Sequence, residues 1–175
     1  MGDPACFASE IAPAVCYLGV GSNLGDRARN LAMAVARLRE AGVVEAVSRV
    51  YESAPVGFRD QPDFYNIVVR FRTNLAPEEL LARVKQIEAE MGRTASFRNA
   101  PRVIDIDILS CDDFVLRTPA LELPHPRMTE RAFVLLPLAE VAMDFVHPIT
   151  RENMDTLLVR ARSLELARPV GLLPE

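Results

Sequence analysis

The chain has 175 residues, half of them apolar and a quarter charged, with a net charge of −4 and 3 cysteines. This size suits one globular domain with a full hydrophobic core, and so weak a net charge excludes a general field for nucleic acid or an anionic membrane, leaving local clustering as the source of any anion site. Cys6, Cys16 and Cys111 form an odd set without CxxC spacing, which fits separate reduced thiols in a cytoplasmic protein better than a disulfide framework or a zinc site.

The opening "MGDPACFASEIAPAV" lacks a basic leader, and the apolar run over 11–21 is too short to span a bilayer. Residues 1–14 are expected to be a loose arm, 15–165 a single domain and 166–175 a tail. "CYLGVG" (16–21) reads as a buried strand. "SNLGD" then turns into a helix with Leu31, Val35 and Leu38 at helical spacing, capped by Asn23 or Asp26 and ended by Gly42. Residues 43–53 and 64–73 are strand-like, and the loop between them, with Pro55, Gly57 and Pro62, is long for a hairpin. Pro77, Glu78 and Glu79, followed by Leu80, Val84, Ile87 and Met91 and then Gly92, predict an amphipathic helix with conventional ends. An Arg-rich loop leads to the strand "VIDIDIL" (103–109), a short strand at 114–117 and the proline-punctuated "LELPHPRM". A helix capped by Thr129 and a last helix over about 154–163 complete the chain. This order suggests an α+β sandwich with a mainly antiparallel sheet packed against helices.

Chemistry concentrates around "VIDIDIL". Residues two apart in a strand share a face, so Ile104, Ile106 and Ile108 point into the core while Asp105 and Asp107 point together the other way. Such a pair is either a solvated strand face or a pair of hard oxygen ligands suited to Mg²⁺ bridging to phosphate. Arg93, Arg98 and Arg102 precede it with no acid between Glu90 and Asp105, an arrangement suited to polyphosphate oxygens or to a solvated basic loop. Glu88 lies at the edge of the preceding helix's apolar stripe, within reach of the same region. Phe64 and Asn66 share a strand face, offering a stacking surface and an amide to a flat heterocycle, or simply core packing. His125 lies between prolines in a loop, and His147 carries no functional signal. "GVGSNLG" has the wrong spacing for a dinucleotide fingerprint, no GK[ST] follows, and no nucleophile triad is evident; its glycines are expected to serve a tight strand-to-helix turn.

The ordered set "LGVGSNLGD", "YESAPVGFRDQPDFYNIVV", "LAPEELLARVKQIEAEMGR", "APRVIDIDIL" and "LELPHPRMTERAFVLLPLAEV", over roughly residues 16–163, resembles the 6-hydroxymethyl-7,8-dihydropterin pyrophosphokinase family of folate biosynthesis. The resemblance implies a ferredoxin-like α/β sandwich and transfer of pyrophosphate from ATP to the pterin's hydroxymethyl oxygen, releasing AMP. A cytoplasmic monomer is expected, and from the weak net charge and the N-terminus no nucleic-acid or membrane partner. Carried over by position, Asp105 and Asp107 would hold two Mg²⁺ ions. Arg93 and Arg102 would act in catalysis on the phosphates. Glu88, Arg98, Ile108, His125 and Arg131 would join those arginines at the ATP site, while Ser53, Ala54, Val56, Phe64, Asn66 and Phe133 would form the pterin pocket.

Asn99 and Ala100 stand where the family has Trp-Gly, Ser53-Ala54 where it has Thr-Pro, and Lys85 where some relatives have an adenine-contacting glutamine. These departures bear on loop closure and ATP affinity. The 53–63 and 93–101 loops are expected to order on joint binding of ATP and pterin. Two alternatives stay open: a binding module without turnover, and a Mg²⁺-dependent ATP transferase acting on a non-pterin alcohol.

Overall fold

An antiparallel sheet of six strands organises the chain. The computed structural model describes residues 12–94, 99–164 and 166–174. In chain order these form β1 (Ala14–Ser22), α1 (Arg27–Leu38), β2 (Val43–Val47), β3 (Val50–Ser53), β4 (Phe64–Thr73), α2 (Pro77–Glu90), β5 (Asp105–Cys111), β6 (Leu116–Arg117), β7 (Glu122–Leu123), a 3₁₀ turn (Met128–Glu130), α3 (Ala132–Val141), α4 (Met154–Ala161) and β8 (Ala167–Gly171). Strand order is β5-β1-β4-β3-β8, with β2 also on β4, and β6 and β7 pair separately.

The sheet divides two cores. Leu31, Val35, Leu38, Leu80, Val84 and Ile87 of α1 and α2 pack on Leu18, Val20, Val69, Phe71, Ile104, Ile106 and Ile108. On the opposite face Leu135 and Leu138 of α3 and Leu157 of α4 cover Val68 and Leu109. Burying each such side chain contributes about 1.5–3 kcal/mol. The α+β sandwich expected from the sequence is therefore present, and no helix among the described residues is long and apolar enough to cross a membrane.

Several local expectations are corrected. Asp26 caps α1 by accepting from Arg29 N at 3.0 Å, but α1 stops at Leu38 without Gly42. Gly42 instead allows close approach to β4: a Cβ there would lie 2.5 Å from the Arg72 carbonyl and 2.6 Å from the Phe71 ring. The strand expected over 43–53 breaks at Ser48, whose Oγ accepts from Val68 N at 2.9 Å. Thr129 caps nothing. It lies in the 3₁₀ turn, where the adjacent Met128 is fully buried, and α3 starts after Arg131. Residues 167–171, expected as tail, form the edge strand β8 against β3, where Arg168 pairs with Glu52 at 2.6 Å. Cys16 and Cys111 are direct partners across β1 and β5 and are joined as a disulfide, Cα atoms 3.9 Å apart, so they are not separate thiols. Cys6 lies outside the described residues.

Candidate active site

A cavity of about 410 Å³ opens on the α3 face of the sheet, at the end where β1, β4 and β5 meet the N-terminus of α3. Its floor exists because of what β1 omits. Gly21 is registered opposite Asp105 and Gly19 opposite Asp107, so both carboxylates stand beside bare backbone. A Cβ on Gly21 would lie 3.1 Å from Asn66 Oδ1. These two glycines belong to the strand and to the cavity; only Gly25, at φ +65°, serves the turn where the sequence placed all three.

β5 is an edge strand, and its outward backbone groups are covered by functional segments rather than by another strand. Ile106 N donates to the buried Glu88 carboxylate at 2.7 Å, tying α2 to β5. His125 N donates to the Leu109 carbonyl at 2.7 Å, holding the 124–131 segment against the same edge. Asp107 is the more open carboxylate: its side chain is 38% exposed against 22% for Asp105, and its ion-pair partner among the described residues, Arg131, stands 3.8 Å away.

Asp105 is held by two arginines, Arg93 at 2.6 Å and Arg102 at 2.8 Å. Glu88 accepts from Arg93 as well and from Lys85 at 3.0 Å. Burial works against the Arg93 charge, but Asp105 and Glu88 outweigh it and hold its pKa above the ordinary guanidinium value. Arg102 Nε is buried with no partner among the described residues, a donor toward which an anion oxygen could still be brought. Burial pushes the His125 imidazole below its usual pKa; Asp107 opposes this, and Arg131 and Arg127 add to it. Arg131 is lowered by burial and by Arg127, against the pull of Asp107.

Adjoining this charged cluster is an aromatic slot. Phe64 and Phe133 line it, with the Arg102 guanidinium 5.7 Å from the Phe64 ring centre and that of Arg131 5.5 Å from Phe133. Asn66 donates to Ser53 Oγ at 3.0 Å, while among the described residues nothing donates to its Oδ1, which lies over Gly21. An amide acceptor beside two rings can read the edge of a flat heterocycle. Anion donors and a stacking slot thus share one cavity.

Of the residues expected from the sequence, Ser53, Ala54, Val56, Phe64, Asn66, Arg93, Arg102, Asp105, Asp107, His125, Arg131 and Phe133 all line it. Glu88 sits beneath as an anchor. Ile108, expected at the nucleotide site, turns its side chain into the α1/α2 core and is not among the lining residues, because it has the parity of Ile106 rather than of Asp107. Arg98 lies outside the described residues. Lys85 joins the wall. Sequence reasoning missed Asn23, Gln61 and Arg127. The buried Asn23 side chain accepts from Arg102 N at 2.8 Å and donates to Gln61 at 2.8 Å and to the Pro62 carbonyl at 3.0 Å. Gln61 in turn donates to the Asn99 carbonyl at 2.9 Å, joining the two loops expected to move. Only the polar run "GSNLGD" hinted at the first of these links.

Comparison with known proteins agrees with this arrangement. Residues 17–143 match the family model of 7,8-dihydro-6-hydroxymethylpterin-pyrophosphokinase (HPPK). The 2-amino-4-hydroxy-6-hydroxymethyldihydropteridine pyrophosphokinase of Aquifex aeolicus is 45% identical over 141 residues, covering 81% of this chain and 88% of that protein. The protein of the same name from Bacillus subtilis is 45% identical over 148 residues, 83% of this chain and 89% of its own length. The folic acid synthesis protein FOL1 of Dictyostelium discoideum is 43% identical over 157 residues, of which this chain spans only 23% of the length. Among solved structures, wild-type Plasmodium falciparum HPPK-DHPS with pteroate superposes with a TM-score of 0.70 at 18% identity, over 87% of this chain and 43% of that one, which shows a shared fold. The chain therefore belongs to the 7,8-dihydro-6-hydroxymethylpterin-pyrophosphokinase family.

Proposed function

We propose that this chain transfers the pyrophosphoryl group of ATP to the hydroxymethyl oxygen of 6-hydroxymethyl-7,8-dihydropterin, giving the pterin diphosphate and AMP, as a Mg²⁺-dependent cytoplasmic monomer in folate biosynthesis. The observation that carries the reading is the meeting of the Phe64, Asn66 and Phe133 slot with the Arg93, Arg102, Asp105 and Asp107 cluster in one cavity.

The pterin ring would lie between Phe64 and Phe133, with Asn66 Oδ1 accepting from its edge. Its hydroxymethyl oxygen then faces the arginines. That oxygen bonds to the β-phosphorus of ATP as the bond from this phosphorus to the α,β-bridging oxygen breaks; AMP leaves with the bridging oxygen, and the hydroxyl proton is released to water. The substrate supplies the nucleophile, so the side chains act by positioning and by stabilising charge. Arg93 and Arg102 are held beside Asp105 and aimed at the phosphates.

The donor set fits a hard cation. No cluster of three or more ligating side chains exists among the described residues, but Mg²⁺ is commonly held by one or two carboxylates with substrate phosphates and water. Asp105 and Asp107 would hold it, and it would neutralise phosphate charge.

The deciding experiment measures AMP from ATP, with and without the pterin and with and without Mg²⁺. AMP release that needs both supports the reading. Tight binding of both ligands without AMP would make this a module that no longer turns over, and AMP release with an unrelated alcohol but not with the pterin would move it to another transferase.

A further inference from the structure

We propose that Arg127 is a further phosphate-binding residue of this cavity, contacting the polyphosphate of the nucleotide beside Arg131. This rests on the nucleotide reading above. Among the described residues, four arginines line the cavity: Arg93, Arg102, Arg127 and Arg131. Arg93 and Arg102 direct short bonds to Asp105, and Arg131 stands 3.8 Å from Asp107. The exposed Arg127 lines the cavity, and its side chain makes no hydrogen bond or ion pair among the described residues, so its guanidinium donors are unspent.

Its backbone, by contrast, is fixed. Arg127 N donates to His125 Nδ1 at 3.1 Å, Met128 N donates to the His125 carbonyl at 3.0 Å, and the Met128 side chain is fully buried. A neutral His125 accepting at Nδ1 carries its proton on Nε2, so the segment holds one N–H donor and two guanidinium groups together. Like charges on one short segment repel, and an anion between them relieves that repulsion. A solvated surface arginine would give the same exposure, and the test separates the two.

Full-length wild type, Arg127→Ala, Arg127→Lys and a control, Arg117→Ala, would be titrated calorimetrically with inorganic tripolyphosphate and with a non-hydrolysable ATP analogue plus Mg²⁺. Arg117 is 73% exposed and pairs with Glu122 on the β6-β7 hairpin. Loss of one charge-assisted contact predicts about tenfold weaker tripolyphosphate and analogue binding for Arg127→Ala. Partial recovery is expected in Arg127→Lys, with adenosine binding and thermal midpoint unchanged. Equal tripolyphosphate affinity in Arg127→Ala and wild type, or an equal loss in Arg117→Ala, overturns the assignment. Failure of wild type to bind the ATP analogue removes the nucleotide reading instead, and the tripolyphosphate arm still decides the role of Arg127.

Discussion

Two of the arginine–carboxylate clusters on this sheet, around Glu140 and around Asp105, differ in whether they are finished. Around Glu140, Arg49 donates from its backbone N and its Nε, each at 2.8 Å, and Tyr51 donates its hydroxyl at 2.6 Å. This cluster closes on itself and pins α3 to β3. Around Asp105 the pairing chemistry is the same, yet among the described residues Arg102 Nε is unpartnered, Asp107 is partly open and a cavity adjoins. Ion pairing alone therefore does not mark a binding site; an incomplete network beside a cavity does.

The largest contrast should come from the open cluster. Asp107→Ala is expected to lower pterin-dependent AMP formation by about a thousandfold or more, since several kcal/mol of charge stabilisation at the phosphates would go with it. Its thermal midpoint should change little because the side chain is 38% exposed. An active variant would sever the strand face from the chemistry.

Glu88→Ala should behave oppositely, as a stability defect of about 3 kcal/mol in urea denaturation. Removing this buried carboxylate leaves Ile106 N, Arg93 and Lys85 without their shared acceptor. Gly21→Ala puts a methyl group 3.1 Å from Asn66 Oδ1; a shift of that amide should weaken pterin binding about tenfold, or about 1.4 kcal/mol, measurable by calorimetry with little change in ATP affinity.

The closed cluster gives the smallest effect. Tyr51→Phe should cost about 1 kcal/mol of stability and leave turnover unchanged. Burial and the bond to Glu140 push the Tyr51 phenol up from 10.0 to about 12. A folded pKa above the unfolded one means that the contribution is fully present below pH 10 and is lost as pH rises through 12. Denaturation from pH 9 upward should show a larger loss in wild type than in Tyr51→Phe, where the half-buried Tyr17 phenol still contributes.

Local periodicity made the site's framework legible. Alternation in "VIDIDIL" placed the isoleucines inside and the aspartates together, and helical spacing placed α1 and α2. What it missed depends on which strands become neighbours. The bond between Cys16 and Cys111 follows from the β1/β5 register across 95 residues. Thr129 has the chemistry of a cap, but burial of Met128 tightens the chain into a 3₁₀ turn there. Gly19 and Gly21 read as turn residues until Asp107 and Asp105 are found opposite them. Arg127 looks like any loop arginine without a cavity to face.

Asn23 also bears on the order in which the molecule assembles. Its one amide joins Gln61, 38 residues away, and Arg102, 79 residues away. Neither contact can form before β1, β4 and β5 are in register, because both loops must first be closed against their entropy. The rim around the cavity is thus a late event in folding, and loosening it should speed unfolding while leaving the folding rate nearly untouched.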